Sequence, residues 1–112
     1  MNGVSLFSFV RLDDFEFKVL QEKQPVLLAC MRKDYLYQEQ LEVLKIVSET
    51  FGETVRICLM HEDQLGAFMQ KFGIEGTPTF LVFNNGKVVD EMLGKADDST
   101  LHAFISPHVP SL

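Results

Sequence analysis

The chain has 112 residues, of which 46% are hydrophobic, enough for a single domain with a real core. Its net charge is −6 and its largest basic cluster is Arg32-Lys33, so nucleic acid is not an expected partner. The longest apolar run, 26–31, is far shorter than the roughly 20 residues that span a bilayer, so no membrane partner is expected. Two cysteines and no basic, apolar leader predict a reducing, cytoplasmic setting.

The chain opens on a predicted strand and a short helix. Partial alternation of apolar and polar residues over 4–11 is typical of a strand. Asp13 and Glu16 lie three residues apart and form a capping-box-like pair, which is a helix start signal. We therefore expect a short helix over residues 15–21 that packs through its apolar side chains.

A buried strand and a long helix are predicted next. Pro25 opens the continuous apolar run 26–31, and a run without polar alternation favours a strand covered on both faces, as in parallel sheets. Apolar residues then recur every three to four positions from Leu36 to Phe51, which predicts a helix with a wide apolar stripe. Gly52 lies where a C-terminal cap belongs.

A second buried strand and a shorter helix follow in the middle of the chain. Residues 55–60, apolar except for Arg56, are typical of a second buried strand. Asp63 is predicted to cap the next helix, which ends at Gly73. Because the two buried strands are joined through a helix, we expect them to pair in parallel with a right-handed crossover.

The last third predicts a hairpin and a final helix. Residues 80–83 and 88–93 flank Asn85-Gly86, a strong hairpin signal, and Asp97 starts a helix after them. The whole order, β-α-β-α-β-α-β-β-α, predicts a single domain over residues 1–112. We expect an α/β three-layer sandwich, with a central mixed sheet of about five strands and about four flanking helices.

The segment before the hairpin is the most informative in the chain. It reads Gly73-Ile74-Glu75-Gly76-Thr77-Pro78-Thr79 and leads directly into the apolar run and the Asn85-Gly86 turn. It resembles the cis-proline loop and hairpin of the thioredoxin family. Pro25-Val26-Leu27-Leu28 and Gly94 match the family's second strand and the glycine after its last strand. The resemblance covers residues 5–106 and implies the thioredoxin fold.

The same resemblance points to what this chain lacks. Thioredoxins carry Trp-Cys-Gly-Pro-Cys after the second strand, whereas residues 31–38 here contain no Cys, and Asp34 and Tyr37 align nearest the two lost cysteines. Ala29 aligns with a buried Asp of the family, and Leu59 aligns with a Lys that pairs with it. Thiolate chemistry needs a lowered pKa and a proton acceptor. The resemblance therefore implies a member without the redox dithiol.

Cys30 and Cys58 are the remaining candidates for thiol chemistry. Each lies inside a predicted buried strand, and these two strands should be neighbours. A disulfide needs Cα atoms about 4.4–6.8 Å apart with converging Cβ vectors, whereas side chains on adjacent parallel strands usually point side by side. Buried free cysteine behaves as a small hydrophobe, so we expect both thiols to pack.

The resemblance also implies a binding surface. Tyr35 and Tyr37 would lie at a helix start beside Gly76, Thr77 and Pro78, where thioredoxins contact their substrates. Aromatic side chains are enriched in binding hot spots, and free backbone groups in the loop could pair with an extended peptide. The alternative for Tyr37 is that it packs into the core as part of the helical stripe.

Other polar residues are predicted to be structural. His61-Glu62-Asp63 groups three potential metal ligands, but a zinc site needs about four that converge, so we expect a solvated loop. His102 and His108 should lie at the surface or at helix ends. We predict no metal site and no cofactor.

Three functions remain open from the sequence. We prefer a redox-inactive, non-enzymatic domain that binds a protein or an extended peptide as a chaperone-like or assembly module. The alternative is a thiol oxidoreductase that uses Cys30 or Cys58 singly in cell redox homeostasis. The third is a structural subunit that forms a weak homodimer through a sheet edge or the hairpin, with the first strand as a candidate edge. Thiol reactivity separates the first two hypotheses, and sedimentation tests the third.

Overall fold

A five-stranded mixed sheet forms the middle layer of the domain, as predicted. The computed structural model describes residues 7–110, so residues 4–6 of the predicted first strand lie outside the described residues. The strands are β1 (Ser8–Val10), β2 (Val26–Cys30), β3 (Arg56–Met60), β4 (Thr79–Asn84) and β5 (Lys87–Leu93). The order across the sheet is β1-β3-β2-β4-β5, which places β2 at the centre.

The pairing of the strands explains their composition. β1 and β2 both pair with β3 in parallel, and β4 pairs antiparallel with β2 and β5. β2, β3 and β4 are interior strands that helices cover on both faces, so they read as nearly continuous apolar runs. The register sets Ala29 beside Leu59 and Leu28 beside Cys58.

Helices cover both faces of the sheet. They are α1 (Tyr37–Phe51), α2 (Leu65–Phe72) and α3 (Asp98–Ile105), with one turn of π-helix at Glu16–Leu20. The side that packs on α1 and α3 is called the α1 face here, and the side that packs on α2 and the π-helical turn is called the α2 face. No helix in the described part of the chain is long and apolar enough to cross a membrane.

The helix ends follow the sequence signals at three of the predicted positions. Gly52 and Gly73 end α1 and α2 with φ angles of 58° and 67°, values that glycine adopts without a steric penalty. At the start of α3, the Asp97 carboxylate accepts a hydrogen bond from the backbone N–H of Thr100 at 2.8 Å. These local signals correctly delimit the helices that position the candidate site.

The predicted cap at Asp13 and Glu16 is wrong. No described side chain caps the N-terminus of the π-helical turn. The side chain of Asp14, two residues before the turn, bonds to Arg11 and Lys18 instead. The Asp14 carboxylate accepts a hydrogen bond from the backbone N–H of Arg11 at 2.7 Å and pairs with Lys18 at 3.1 Å. These two partners hold Asp14, rather than Asp13, at the start of the turn.

The predicted cap at Asp63 is also wrong. Asp63 lies within a 3-10 turn, Glu62–Gln64, and the N-cap residue of α2 is Gln64, with no side chain among the described residues capping that helix. His61 caps the 3-10 turn, because its Nδ1 accepts a hydrogen bond from the backbone N–H of Asp63 at 3.4 Å. The Asp63 carboxylate pairs instead with the Arg11 guanidinium at 3.2 Å.

The two core layers differ in content. On the α2 face, four phenylalanine rings pack together: Phe15 lies edge-on to Phe68 at 5.3 Å and to Phe83 at 5.6 Å, and Phe68 stacks on Phe72 at 4.4 Å. Both cysteines belong to this layer. Such ring pairs add stability beyond the area they bury, so we expect these contacts to stabilise the α2 face.

The hairpin has the predicted turn and one irregularity. Asn85 and Gly86 both have positive φ, 53° and 80°, which is the geometry of a type I′ turn. A Cβ at Gly86 would lie 2.9 Å from the carbonyl oxygen of Leu20, so a side chain does not fit there. The register then shifts, because Val82 pairs with Asp90 while the next residue, Phe83, pairs with Val88. β5 therefore carries a bulge at its edge.

Candidate functional site

Three of the five predicted binding residues, Tyr37, Thr77 and Pro78, line a shallow groove between the start of α1 and the loop before β4, whereas Tyr35 and Gly76 do not line it. This surface, called the loop groove, is lined by Met31, Arg32, Asp34, Leu36, Tyr37, Gln40, Thr77 and Pro78. The chain leaves β2 at its carboxyl end and turns directly into α1, and β4 lies beside β2 in the sheet. This neighbourhood is why residues 40 positions apart in the sequence share one groove.

The segment between β2 and α1, which the resemblance aligns with the family's dithiol, is held by local hydrogen bonds. The Asp34 carboxylate accepts from the backbone N–H of Leu36 at 3.0 Å, and the Asp34 carbonyl accepts from the backbone N–H of Tyr37 at 3.1 Å. An aspartate that bonds the backbone two residues ahead forms an Asx turn. Asp34 is thus a turn-forming residue at the groove, with its side chain exposed to solvent.

The two tyrosines have different environments. Tyr35 is 89% exposed and does not line the loop groove. Tyr37 begins α1, is half-buried, and has the Lys33 ammonium 5.8 Å from the centre of its ring. Of the predicted pair, Tyr37 both packs on the α1 face and lines the groove, while Tyr35 projects away from it.

The loop on the other side of the groove leaves both backbone polar groups of one residue, Thr77, without a hydrogen bond to the described part of the chain. The Thr79 hydroxyl donates to the carbonyl of Gly76 at 2.6 Å, and the carbonyl of Pro78 accepts from the backbone N–H of Gly94 at 2.8 Å. The Thr77-Pro78 peptide bond is cis. No group within residues 7–110 pairs with the backbone N–H or C=O of Thr77, which is only half-buried. Thr77 can therefore donate and accept toward a partner.

A cavity of about 180 Å³ lies next to the loop groove and shares Met31 and Tyr37 with it. This space, called the α1 cavity, is lined by Phe9, Ala29, Met31, Lys33, Tyr37, Leu59, Met60, His61 and Glu62. Ala29 and Leu59, the two apolar replacements of the family's Asp and Lys, are paired neighbours on β2 and β3. The structure thus brings both replacements together under the start of α1.

The two thiols lie on the other face of the sheet. Cys30 and Cys58 are unpaired and have no exposed surface. Burial, together with the negative charge of Glu91, raises the pKa of the Cys30 thiol to about 12. Burial raises the pKa of Cys58 to about 11, despite the opposing positive charges of Arg56 and Lys18. Both thiols therefore stay protonated and unreactive near neutral pH.

The histidines form small surface networks. His61 lies 2.6 Å from the Asp63 carboxylate, and His108 lies 3.0 Å from the Asp90 carboxylate. His102 stacks on the ring of Phe51 at 4.9 Å. In the part of the chain that the structure describes, no group of three or more His, Cys, Asp or Glu side chains could hold a metal ion.

Sequence reasoning did not foresee the role of Gln40. Its side chain is buried beneath the loop groove, where its amide nitrogen donates to the carbonyl of Ala96 and its amide oxygen accepts from the Ala96 N–H, each at 3.1 Å. This double hydrogen bond ties α1 to the segment between β5 and α3. A glutamine within the apolar stripe of a helix could have indicated this role. Buried polar groups require hydrogen-bond partners, so a buried glutamine predicts a bonded neighbour.

Known proteins resemble this chain over nearly its whole length. The thioredoxin family model matches residues 7–107. Probable thioredoxin-2 of Caenorhabditis elegans is 26% identical over 106 residues, which cover 93% of this chain and 72% of that protein. The thioredoxin of Pseudomonas aeruginosa is 28% identical over 102 residues, covering 85% of this chain and 89% of that protein.

A third relative aligns over a shorter segment. The thioredoxin of Malassezia sympodialis is 36% identical over 64 residues, which cover 57% of this chain and 60% of that protein. The family match, the strand order and the loop before β4 all agree with one another. The chain therefore belongs to the thioredoxin family, as a member whose two cysteines are both buried within the sheet.

Proposed function

We propose that this domain is a non-catalytic binding module that holds an extended protein segment in the loop groove. The observation that carries the proposal is the unpaired backbone N–H and C=O of Thr77 beside that groove. An extended chain that pairs with a free peptide unit gains affinity from main-chain hydrogen bonds and specificity from side-chain pockets. The partner is a protein client or an assembly partner, bound without a covalent bond.

The opposite wall of the groove suits such a partner. Tyr37 offers a half-buried aromatic surface, the kind of side chain on which binding energy concentrates. Arg32 and Asp34 are exposed at the rim and carry opposite charges, so they can pair with polar groups along a bound segment. The Arg32 guanidinium is steadied by the thioether of Met69 at 3.9 Å.

The relatives' names make disulfide exchange the rival function. Exchange requires a thiolate that can reach a disulfide sulfur, and both thiols here are buried with raised pKa values. We therefore expect a variant that carries both Cys30→Ala and Cys58→Ala to keep the partner affinity of the wild type. The unpaired thiols also favour a reducing compartment such as the cytoplasm.

A displayed library of extended peptides tests the binding proposal. Peptides selected against the native protein should shift the amide resonances of Thr77 and slow hydrogen exchange at its N–H, because that group becomes paired. Tyr37→Ala should weaken the selected peptides by roughly tenfold or more, the size of a hot-spot loss. Phe17→Ala is the matched control, since Phe17 is 74% exposed and lies outside the groove.

Two results would contradict the proposal. One is that the selected peptides perturb β1 or β5 while the Thr77 amide remains unchanged. The other is that the variant without cysteines loses peptide affinity, or that the wild type reduces a disulfide substrate while this variant does not. Equilibrium sedimentation of the wild type tests the homodimer hypothesis separately.

A further inference from the structure

The α1 cavity has the size of one aromatic ring. Its volume is about 180 Å³, and a protein cavity of about 150 Å³ lined by apolar side chains is known to bind benzene. Its lining includes Ala29 and Leu59, two apolar residues that are almost fully buried. We expect a longer side chain at position 29 to reduce this space.

The walls of the cavity favour an aromatic occupant over an aliphatic one. Phe9 and Tyr37 present rings, and Met31 presents a thioether. Offset or edge-on ring pairs and contacts between sulfur and a ring are each favourable beyond the area that they bury. Phe9 is still 50% exposed, so part of its ring is available to a partner.

The mouth of the cavity is polar. The Lys33 ammonium pairs with the Glu62 carboxylate at 3.7 Å, and the His61 ring lies edge-on to Phe9 at 6.3 Å. A rim of charged groups around an apolar lining accepts a side chain whose apolar part enters while its own backbone stays hydrated outside. This pattern of an apolar core with a polar rim is that of an anchor pocket in a protein interface.

We propose that the α1 cavity receives an aromatic side chain of the same segment that binds in the loop groove. Met31 and Tyr37 line both spaces, so we expect an extended chain paired at Thr77 to pass beside the cavity mouth. This inference rests on the proposed function and adds to it the residue class that the partner must carry. The occupant is Phe or Tyr in a protein segment.

A titration with p-cresol tests the cavity without any peptide. In protein with ¹³C-labelled methyl groups, p-cresol should give saturable ring-current shifts at Met31 and Ala29. The methyl groups of Met69 and Ala67, on α2, are internal references that should not move. 4-Methylcyclohexanol, which has the same size without a ring current or π-face, should bind more weakly, by about 2- to 10-fold.

Two variants separate cavity binding from a general loss of structure. Ala29→Leu should abolish the saturable shift at Met31 by filling the cavity, while the matched change Ala67→Leu, on an exposed helical position, should leave it unchanged. If Ala29→Leu fails to fold, Phe9→Ala replaces it, because Phe9 is half-exposed. Phe9→Ala should weaken p-cresol by about 2- to 10-fold, the value of one ring pair.

Competition with a groove-binding peptide identifies the occupant. A selected peptide that carries Phe or Tyr should displace p-cresol, and its version with Ala at that residue should bind at Thr77 without displacing it. Absence of a saturable shift at Met31 overturns the cavity assignment, even where peptides still bind at Thr77. If 4-methylcyclohexanol binds as tightly as p-cresol, the preference for an aromatic occupant is wrong. If p-cresol and the aromatic peptide bind at the same time, the cavity does not receive the aromatic side chain of the peptide.

Discussion

The two faces of the sheet contain different kinds of residues. The α2 face holds both thiols and four packed phenylalanine rings. The α1 face holds the α1 cavity and leads into the loop groove. The two thiols are thus buried on the α2 face. The α1 face, which can contact a partner, offers a cavity, aromatic rings and backbone groups.

The alternation of side chains along β2 produces this separation, because a shift of one residue moves a side chain to the other face of the sheet. Ala29, Cys30 and Met31 are consecutive, and successive side chains along a strand point to opposite faces. Cys30 therefore packs on the α2 face, while Ala29 and Met31 pack on the α1 face beside the site. A thiol only one residue away from the candidate site in sequence is on the wrong side of the sheet to act there.

The largest expected effect tests whether the α2 face is the main source of stability. Phe68→Ala should lower the free energy of unfolding by about 3–5 kcal/mol, because it leaves a large cavity and removes two ring contacts. Urea unfolding followed by circular dichroism measures the change. Phe17→Ala, at an exposed ring, should stay within about 0.5 kcal/mol of the wild type. A loss below 1 kcal/mol for Phe68→Ala would break the comparison.

The second prediction concerns the sealed thiols at alkaline pH. Below the usual thiol pKa of 9.0, both thiols are protonated in the folded and in the unfolded chain. Above pH 9.0 the thiols of the unfolded chain lose their protons, whereas those of the folded chain keep them up to about pH 11 or 12. Stability should therefore fall as pH rises through this window. At pH 10 the loss attributable to the two thiols should be about 3 kcal/mol.

The variant without cysteines isolates this contribution from other alkaline titrations. Unfolding curves of the wild type and of the protein with Cys30→Ala and Cys58→Ala are compared between pH 8 and 10, and their difference in stability should shrink or reverse toward pH 10. A difference that stays constant with pH, or rapid thiol labelling of the native wild type near pH 7.5, would show that the thiols are accessible.

A smaller effect is expected on the α1 face, at Gln40. Gln40→Leu removes both hydrogen bonds to Ala96 and leaves that residue's N–H and C=O unpaired in a buried place, at a cost of roughly 1–2 kcal/mol. Gln38→Leu, at an exposed position of α1, is the control and should have little effect. Equal stability of the two variants would mean that the double hydrogen bond does not hold α1 in place.

The sequence predicts those parts of the fold that depend on local chemistry. The ends of α1 and α2 at Gly52 and Gly73, the turn at Asn85-Gly86 and the buried strands all follow from residue type and period. The two wrong caps, by contrast, depended on an unforeseen π-helical turn and 3-10 turn, each of which moved an Asp relative to its helix. Single turns of this kind leave no periodicity to detect.

The candidate site is less predictable because distant residues build it. The resemblance correctly placed Tyr37 beside the loop at Thr77, but it could not tell that Tyr35 would be exposed, since both are next to a helix start. The α1 cavity combines Phe9 from β1 with Ala29 and Leu59 from two other strands. Its existence depends on which side-chain volumes meet in three dimensions, and no single segment of the sequence encodes that.

The bulge in β5 has a consequence for how copies of this protein behave in concentrated solution. β5 is an edge strand with three exposed apolar side chains, Val88, Val89 and Leu93, so a flat version of it would be a template for intermolecular sheet growth. The extra residue at the register shift twists this edge, and the charges of Lys87 and Glu91 flank it. We expect deletion of Val89 to flatten the edge and to promote fibrillar aggregation. The additional residue of the bulge therefore protects the protein against aggregation through β5.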